Sequence, residues 1–124
     1  MIPRYRAWDK EFKEMVQVDA LIFDEQIIKA TYKNGNIVKE DLKNYVLMQS
    51  TGLKDKNGKE IFEGDIIDST DGFLTGVIEF RVSLGMFISE LVEYNNFERL
   101  CNVASSRKII GNIWESPALV EASS

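Results

Sequence analysis

The sequence predicts a mainly β protein with little helix: an N-terminal β-rich lobe, then a small barrel built from the C-terminal half. Three observations carry this. Glycine-ended pairs recur at Asn34-Gly35, Asn57-Gly58 and Asp71-Gly72, and each suits a two-residue type I′ hairpin turn with positive φ at both positions. Short β-branched and aromatic runs lie between them at close spacing. Helix signals are scarce and confined to two short segments.

Taken in order, Val16-Gln17-Val18 alternates and leads into Leu21-Ile22-Phe23. Ile27 to Tyr32 precedes the first turn, and Ile37-Val38 follows it. Tyr45 to Met48 is the next apolar run, then Asp65 to Thr70. From Leu74 to Val82, the even positions Leu74, Ile78, Phe80 and Val82 are apolar, whereas Thr75, Glu79 and Arg81 are polar, so the even face points inward. Gly76, on that face, invites a bend. Ser83-Leu84-Gly85 turns the chain with Gly85 in the left-handed region, and Met86 to Glu90 returns antiparallel. Lys108 to Trp114 is the last strand, and its near-continuous apolar character predicts burial on both faces. The helical segments are Asn96 to Cys101, about one and a half turns, and Ser116 to Glu121, which has an N-cap serine and proline at the first helical position. Ala122 to Ser124 is expected to fray.

The 124 residues, 44% hydrophobic and 28% charged, form one domain with a core of its own. A soft division at the polar stretch Lys39 to Asn44 separates sub-lobes 1–44 and 45–124. No apolar run reaches the roughly 18 residues of a membrane span, and Met1 to Trp8 has no apolar region of the kind that starts a secretory signal. The single cysteine, Cys101, has no internal partner, so a reducing, cytoplasmic compartment is expected. Its apolar neighbours predict a buried, structural thiol.

Histidine is absent. That excludes Ser-His-Asp and Cys-His nucleophiles and any histidine-containing zinc site. No phosphate-binding glycine loop and no nucleophile elbow occurs. No catalytic residue, metal ligand or cofactor is therefore assigned. With 15 basic and 20 acidic residues the net charge is −5, and the two signs interleave rather than forming a basic stripe. The candidate binding residues are Arg4 and Arg6, which would share one strand face, with Tyr5, Trp8 and Arg81. The competing reading of the N-terminal group is a solvated edge strand carrying charge against aggregation.

Glu60 to Ile67 is the most informative segment. Glu63-Gly64-Asp65 makes a tight reversal in which glycine permits the bend and aspartate can accept from turn amides. A Gly-Asp pair of this kind often opens the first strand of an SH3-like barrel, which is the architecture expected for the C-terminal half. Glu60, Glu63, Asp65 and Asp68 fall within nine positions, so an alternative reading is a metal-dependent enzyme using these carboxylates.

Three segments together resemble the YopX family of phage and prophage proteins: Arg4-Tyr5-Arg6-Ala7-Trp8-Asp9 followed by Met15; Leu47 to Ile66, including Thr51-Gly52, Asn57-Gly58 and Gly64-Asp65; and Ile109 to Leu119, including Gly111-Asn112. Two positions depart from the family's pattern, Ser50 in place of an aromatic and Trp114 in place of tyrosine or histidine. The resemblance implies one such domain over 1–124, phage or prophage origin, a bacterial cytoplasmic location, and no catalytic residue. In structural terms Thr51-Gly52 and Asn57-Gly58 set turns, Gly64-Asp65 opens the barrel, and Gly111-Asn112 lets the last strand pack closely before Ser116-Pro117. The leading expectation is a non-enzymatic accessory protein that acts on a protein partner or on a second copy of itself. A small-barrel nucleic-acid-binding module is the alternative.

Overall fold

A computed structural model describes residues 4–121; the segment expected to fray, Ala122 to Ser124, lies outside them. The chain divides into two compact units, Met1–Gln49 and Ser50–Ser124. Strand is the dominant structure in both.

The first unit is an antiparallel sheet. It contains β1 (Tyr5–Asp9), β2 (Glu14–Ile22), β3 (Ile27–Thr31), β4 (Ile37–Asp41) and the first half of β5 (Tyr45–Lys54), in the order β4-β3-β2-β1-β5. A 3₁₀ turn, Leu42–Asn44, connects β4 to β5, and Asp41 caps it by accepting from the Lys43 amide at 3.0 Å. The core is Ala7, Val16, Ile28, Ala30 and Tyr45, with Val18, Leu21, Val38 and Leu47 packed on it. β1 is not the solvated edge strand of the competing reading. It is paired on both sides, Arg6 standing opposite Gln17 of β2 and Met48 of β5. The cause is the burial of Ala7 and Trp8, which an edge position would leave half-covered.

The second half of β5 pairs with β6 (Glu60–Phe62). Thr51 and Gly52 do not make a turn; they form a bulge inside β5, with the register shifting between Ser50 and Lys54 and φ +77° at Gly52. Side chains replace the missing ladder bonds: Ser50 Oγ accepts from the Gly52 amide, and Thr51 Oγ1 accepts from Leu53 while donating to the Ile61 carbonyl.

The remaining strands of the second unit are β7 (Asp65–Asp68), β8 (Gly76–Arg81), β9 (Met86–Leu91), β10 (Phe97–Arg99) and β11 (Lys108–Asn112). They form one antiparallel sheet, ordered β10-β9-β8-β7-β11. The expected SH3-like closure is not present among the described residues: the end strands β10 and β11 do not pair with each other, so the sheet is open. Leu100, Val103 and Ala104 have the i, i+3, i+4 spacing of a helical face. The chain accordingly leaves the sheet after three residues of β10 and forms the short helix α1 (Leu100–Val103) and a 3₁₀ turn, Ala104–Ser106. That face joins Ile61, Ile67 and Ile78 in the core. The helix predicted over Asn96 to Cys101 thus begins at Leu100, and Cys101 stands on its solvent side, exposed rather than buried.

Other strand expectations shift for similar reasons. The inward parity of β8 holds at Gly76 and Ile78 but fails at Phe80 and Val82, which are 41% and 83% exposed. Phe80 sits near the end of the hairpin, beyond the core, and packs edge-on against Phe87 across the strand. Val82 belongs to a 3₁₀ turn, Val82–Leu84, that ends on Gly85 at φ +64° as expected. β11 ends at Asn112, and its Ile109, Ile110 and Gly111 are half-buried rather than covered on both faces. Pro117–Leu119 is a 3₁₀ turn with proline at its start, but Ser116 makes no side-chain cap.

None of the three glycine-ended pairs is a type I′ turn. Gly35, Gly58 and Gly72 have φ between +78° and +91°, whereas Asn34, Asn57 and Asp71 do not have positive φ. In each, the glycine amide returns to the carbonyl three residues back, at Tyr32, Asp55 and Ser69. That is a type I turn with glycine in the left-handed position after it. Asn34, Asp55 and Asp71 stabilise it by accepting from the amide two residues on.

Candidate functional site

Gly64 and Asp65 make a tight reversal, but the strand it opens, β7, belongs to an open sheet and not to a closed barrel. Gly64 has φ +84°, its amide donates to the Ile78 carbonyl, and its carbonyl accepts from Ile113. Asp65 accepts from the Phe62 amide at 2.8 Å. The neighbouring carboxylates are occupied by architecture. Glu60 takes the Ser50 hydroxyl, and Asp68 takes the Thr75 hydroxyl. Among the described residues no three acidic or cysteine side chains converge as a metal site. Gly111 packs so closely that a Cβ there would lie 2.8 Å from Ser116 Oγ and 3.1 Å from Leu119. Asn112, buried, accepts from the Trp114 and Glu115 amides and donates to the Glu115 carboxylate.

Within that unit Asp55 was missed as a structural centre. It is 5% exposed. One carboxylate oxygen accepts from Asn57 and Lys59, and the other from Ile109, all at 2.9 Å. Burial pushes its pKa up, but the amides of Ile109, Lys59 and Asn57 outweigh that and hold it below the ordinary aspartate range. The local turn is legible in Asp55-Lys56-Asn57-Gly58; the bond to a residue 54 positions away is not.

The candidate binding residues separate. Trp8 is 8% exposed and belongs to the core, so it offers no stacking face. Tyr5 and Arg6 are half-buried on β1, and Arg4 is exposed just before it. Arg81 belongs to the other unit and is engaged there. Its guanidinium bonds Glu79 at 3.0 Å and Glu90 at 2.8 Å and lies 5.0 Å from the centre of the Phe97 ring. Two carboxylates on one arginine leave little positive potential for a phosphate.

The first unit holds a polar network that sequence reasoning missed. Asp9, 3% exposed at the end of β1, accepts through one oxygen from the Glu11 and Phe12 amides at 2.9 and 3.2 Å. Its other oxygen takes the Tyr32 hydroxyl, and the Tyr32 and Tyr45 hydroxyls are 2.7 Å apart. Burial raises the Tyr32 pKa strongly, with the Asp9 and Tyr45 hydrogen bonds adding to it. Burial raises Tyr45 as well; its bond with Tyr32 opposes this, and the nearby Glu40 and Asp9 charges add to it. Both rings stay neutral and serve as hydrogen-bond relays.

Beside Tyr32 lies a cleft of about 450 Å³ lined by Phe12, Glu14, Tyr32, Asn34, Asn36, Val38 and Glu40. The β1–β2 turn supplies Phe12, and β2 begins at Glu14. The β3–β4 turn supplies Tyr32, Asn34 and Asn36. Val38 and Glu40, two apart on β4, share one strand face. No basic side chain lines it.

Solved structures to which the chain is similar include the following two. Against protein EF1440 from Enterococcus faecalis it is 32% identical, covering 98% of this chain and 99% of that one, with a TM-score of 0.69. Against protein yopX from Bacillus subtilis it is 23% identical, covering 94% and 97%, with a TM-score of 0.58, a likeness of fold. Among curated proteins nothing matches the chain. None of the described helices is long and apolar enough to cross a membrane. The YopX protein family model matches residues 4–121, and by that match the chain belongs to the YopX family.

Proposed function

We propose that the protein is a non-enzymatic accessory of phage or prophage origin that works in the bacterial cytoplasm through contacts with another protein. The observation that carries this reading is the tip of the β8–β9 hairpin. Phe80, Val82 and Leu84 are 41%, 83% and 39% exposed within five residues, whereas Ile78 and Ile88 behind them are 1% and 0% exposed. Exposed apolar side chains clustered at a hairpin turn mark a surface for protein contact. The strand order β11-β7-β8-β9-β10, with a helical turn before β11, supports an SH3-like reading of this unit, one edge left open. That edge is short and capped by charge at Glu98 and Arg99, so side chains rather than strand addition supply the contact.

Self-association is one form of this function. Light scattering across micromolar concentrations tests it, with Val82→Asp and Leu84→Asp together as the probe. The expected result is that the parent captures a protein from infected-host lysate, or forms dimers, and that the double variant loses the interaction at least tenfold while melting at the same temperature. Equal behaviour of parent and double variant removes the hairpin tip as the contact surface. Salt-sensitive binding of DNA or RNA oligonucleotides that the double variant retains would replace this reading with the nucleic-acid one.

A further inference from the structure

We propose that the cleft beside Tyr32 binds a guanidinium group. Its chemistry is one-sided. Glu14 and Glu40 are its only ionised side chains, and neither makes an ion pair among the described residues. Asn34 and Asn36 add amide groups, the Asn34 side-chain carbonyl already accepting from the Asn36 backbone amide, and Tyr32 lines the cleft with its hydroxyl committed to Asp9. Phe12, which also lines the cleft, is 71% exposed.

Two carboxylates and an exposed ring select a cation, and among cations a planar one. A guanidinium stacks on an aromatic face and forms parallel bonds to carboxylates, whereas an ammonium is a compact, strongly hydrated charge. A divalent metal needs more convergent oxygen ligands than two separated glutamates provide. The volume, about 450 Å³, accommodates a single side chain or a small metabolite. The hydrogen bonds of Tyr32 to Asp9 and Tyr45 hold its ring in place, so little ordering of that side chain is lost on binding.

The probe is arginine amide, titrated into the full chain and followed by amide ¹H–¹⁵N resonances. Saturable shifts at Asn34, Asn36 and the Phe12 backbone are expected. Glu14→Gln with Glu40→Gln should weaken binding at least tenfold while leaving the spectrum dispersed, since both side chains lie outside the core. Phe12→Leu should weaken it severalfold. A capped Gly-Arg-Gly peptide distinguishes the sources: binding equal to arginine amide indicates an arginine on a protein, and binding of the free amide alone indicates a small metabolite. No shift at tens of millimolar arginine amide overturns the proposal. So does equal binding of lysine amide, or affinity unchanged in the double glutamine variant. These outcomes are independent of the hairpin-tip contact, which lies in the other unit.

Discussion

Asp55 shows how one side chain can organise several segments. It closes its own turn through Asn57 and Lys59 and anchors the start of β11 through Ile109. Because its folded pKa is depressed, its contribution is fully present above the unfolded aspartate value and is lost as pH falls through the folded one. Asp55→Asn should cost about 2 kcal/mol at neutral pH and flatten the acid limb of the stability curve. Urea unfolding at pH 7 and pH 3 checks this, and an unchanged pH slope contradicts it. Tyr32 and Tyr45 act in the opposite direction. Their raised pKa values stabilise the fold below the ordinary tyrosine range, and that stability is lost as the unfolded phenols ionise at higher pH. Absorbance at 295 nm should show a delayed component that coincides with alkaline unfolding. Tyr32→Phe should remove part of it, and a parent titrating in one ordinary step would refute the relay. Gly76 and Ser89 form a third pair. A Cβ at Gly76 would meet Ser89 Oγ at 1.8 Å, Ser89 Cβ at 3.2 Å and the Glu90 carbonyl at 3.3 Å, and the buried Ser89 hydroxyl has no partner among the described residues. Gly76→Ala should therefore destabilise by about 1–2 kcal/mol. Ser89→Ala should be neutral or stabilising and should relieve part of that cost, as a double-mutant cycle in urea would show.

Elements in this protein are joined by side chains where the backbone ladder stops. β10 ends after Arg99, yet the Arg107 guanidinium, 10% exposed, reaches both oxygens of Glu98 at 2.9 and 3.0 Å. One guanidinium nitrogen takes both Glu98 oxygens while another donates to the Ser106 hydroxyl at 2.9 Å, which ties the approach to β11 to the far edge of the same sheet. Arg107→Met should destabilise by about 2 kcal/mol, since it strands a partly buried carboxylate. Arg107→Lys should recover only part of the loss, because one ammonium nitrogen cannot replace two guanidinium nitrogens that hold Glu98 and the Ser106 hydroxyl at once. Thermal melts of the two variants measure the difference, and equal recovery by lysine would show that charge alone matters there. The bulge at Gly52 is another case. The hydroxyls of Ser50 and Thr51 take over amides that the shifted register leaves without strand partners.

At the scale of the molecule, each of the two units has a core of its own. Surface chemistry is divided between them: the acidic cleft belongs to the first, the apolar hairpin tip to the second. Residues at that tip lie outside both cores. Val82→Asp with Leu84→Asp should therefore shift stability by no more than about 0.5 kcal/mol while changing association, and a large drop in melting temperature would show that the tip packs on the fold.

The strand-rich class, the hairpin positions, the reversal at Gly64-Asp65 and the close packing at Gly111 were determined by the sequence itself, because they depend on residues adjacent in the chain and on φ values that glycine supplies. Trp8 and Cys101 mark where local reading stops. Strand pairing on both sides of β1 buries Trp8, and a helical face facing inward turns Cys101 out. The open sheet, the Asp55–Ile109 bond, the Arg107–Glu98 ion pair and the Asp9–Tyr32–Tyr45 relay were decided only by tertiary structure. Each joins residues on different segments, and which polar group meets which depends on register and bulges that local patterns leave undetermined.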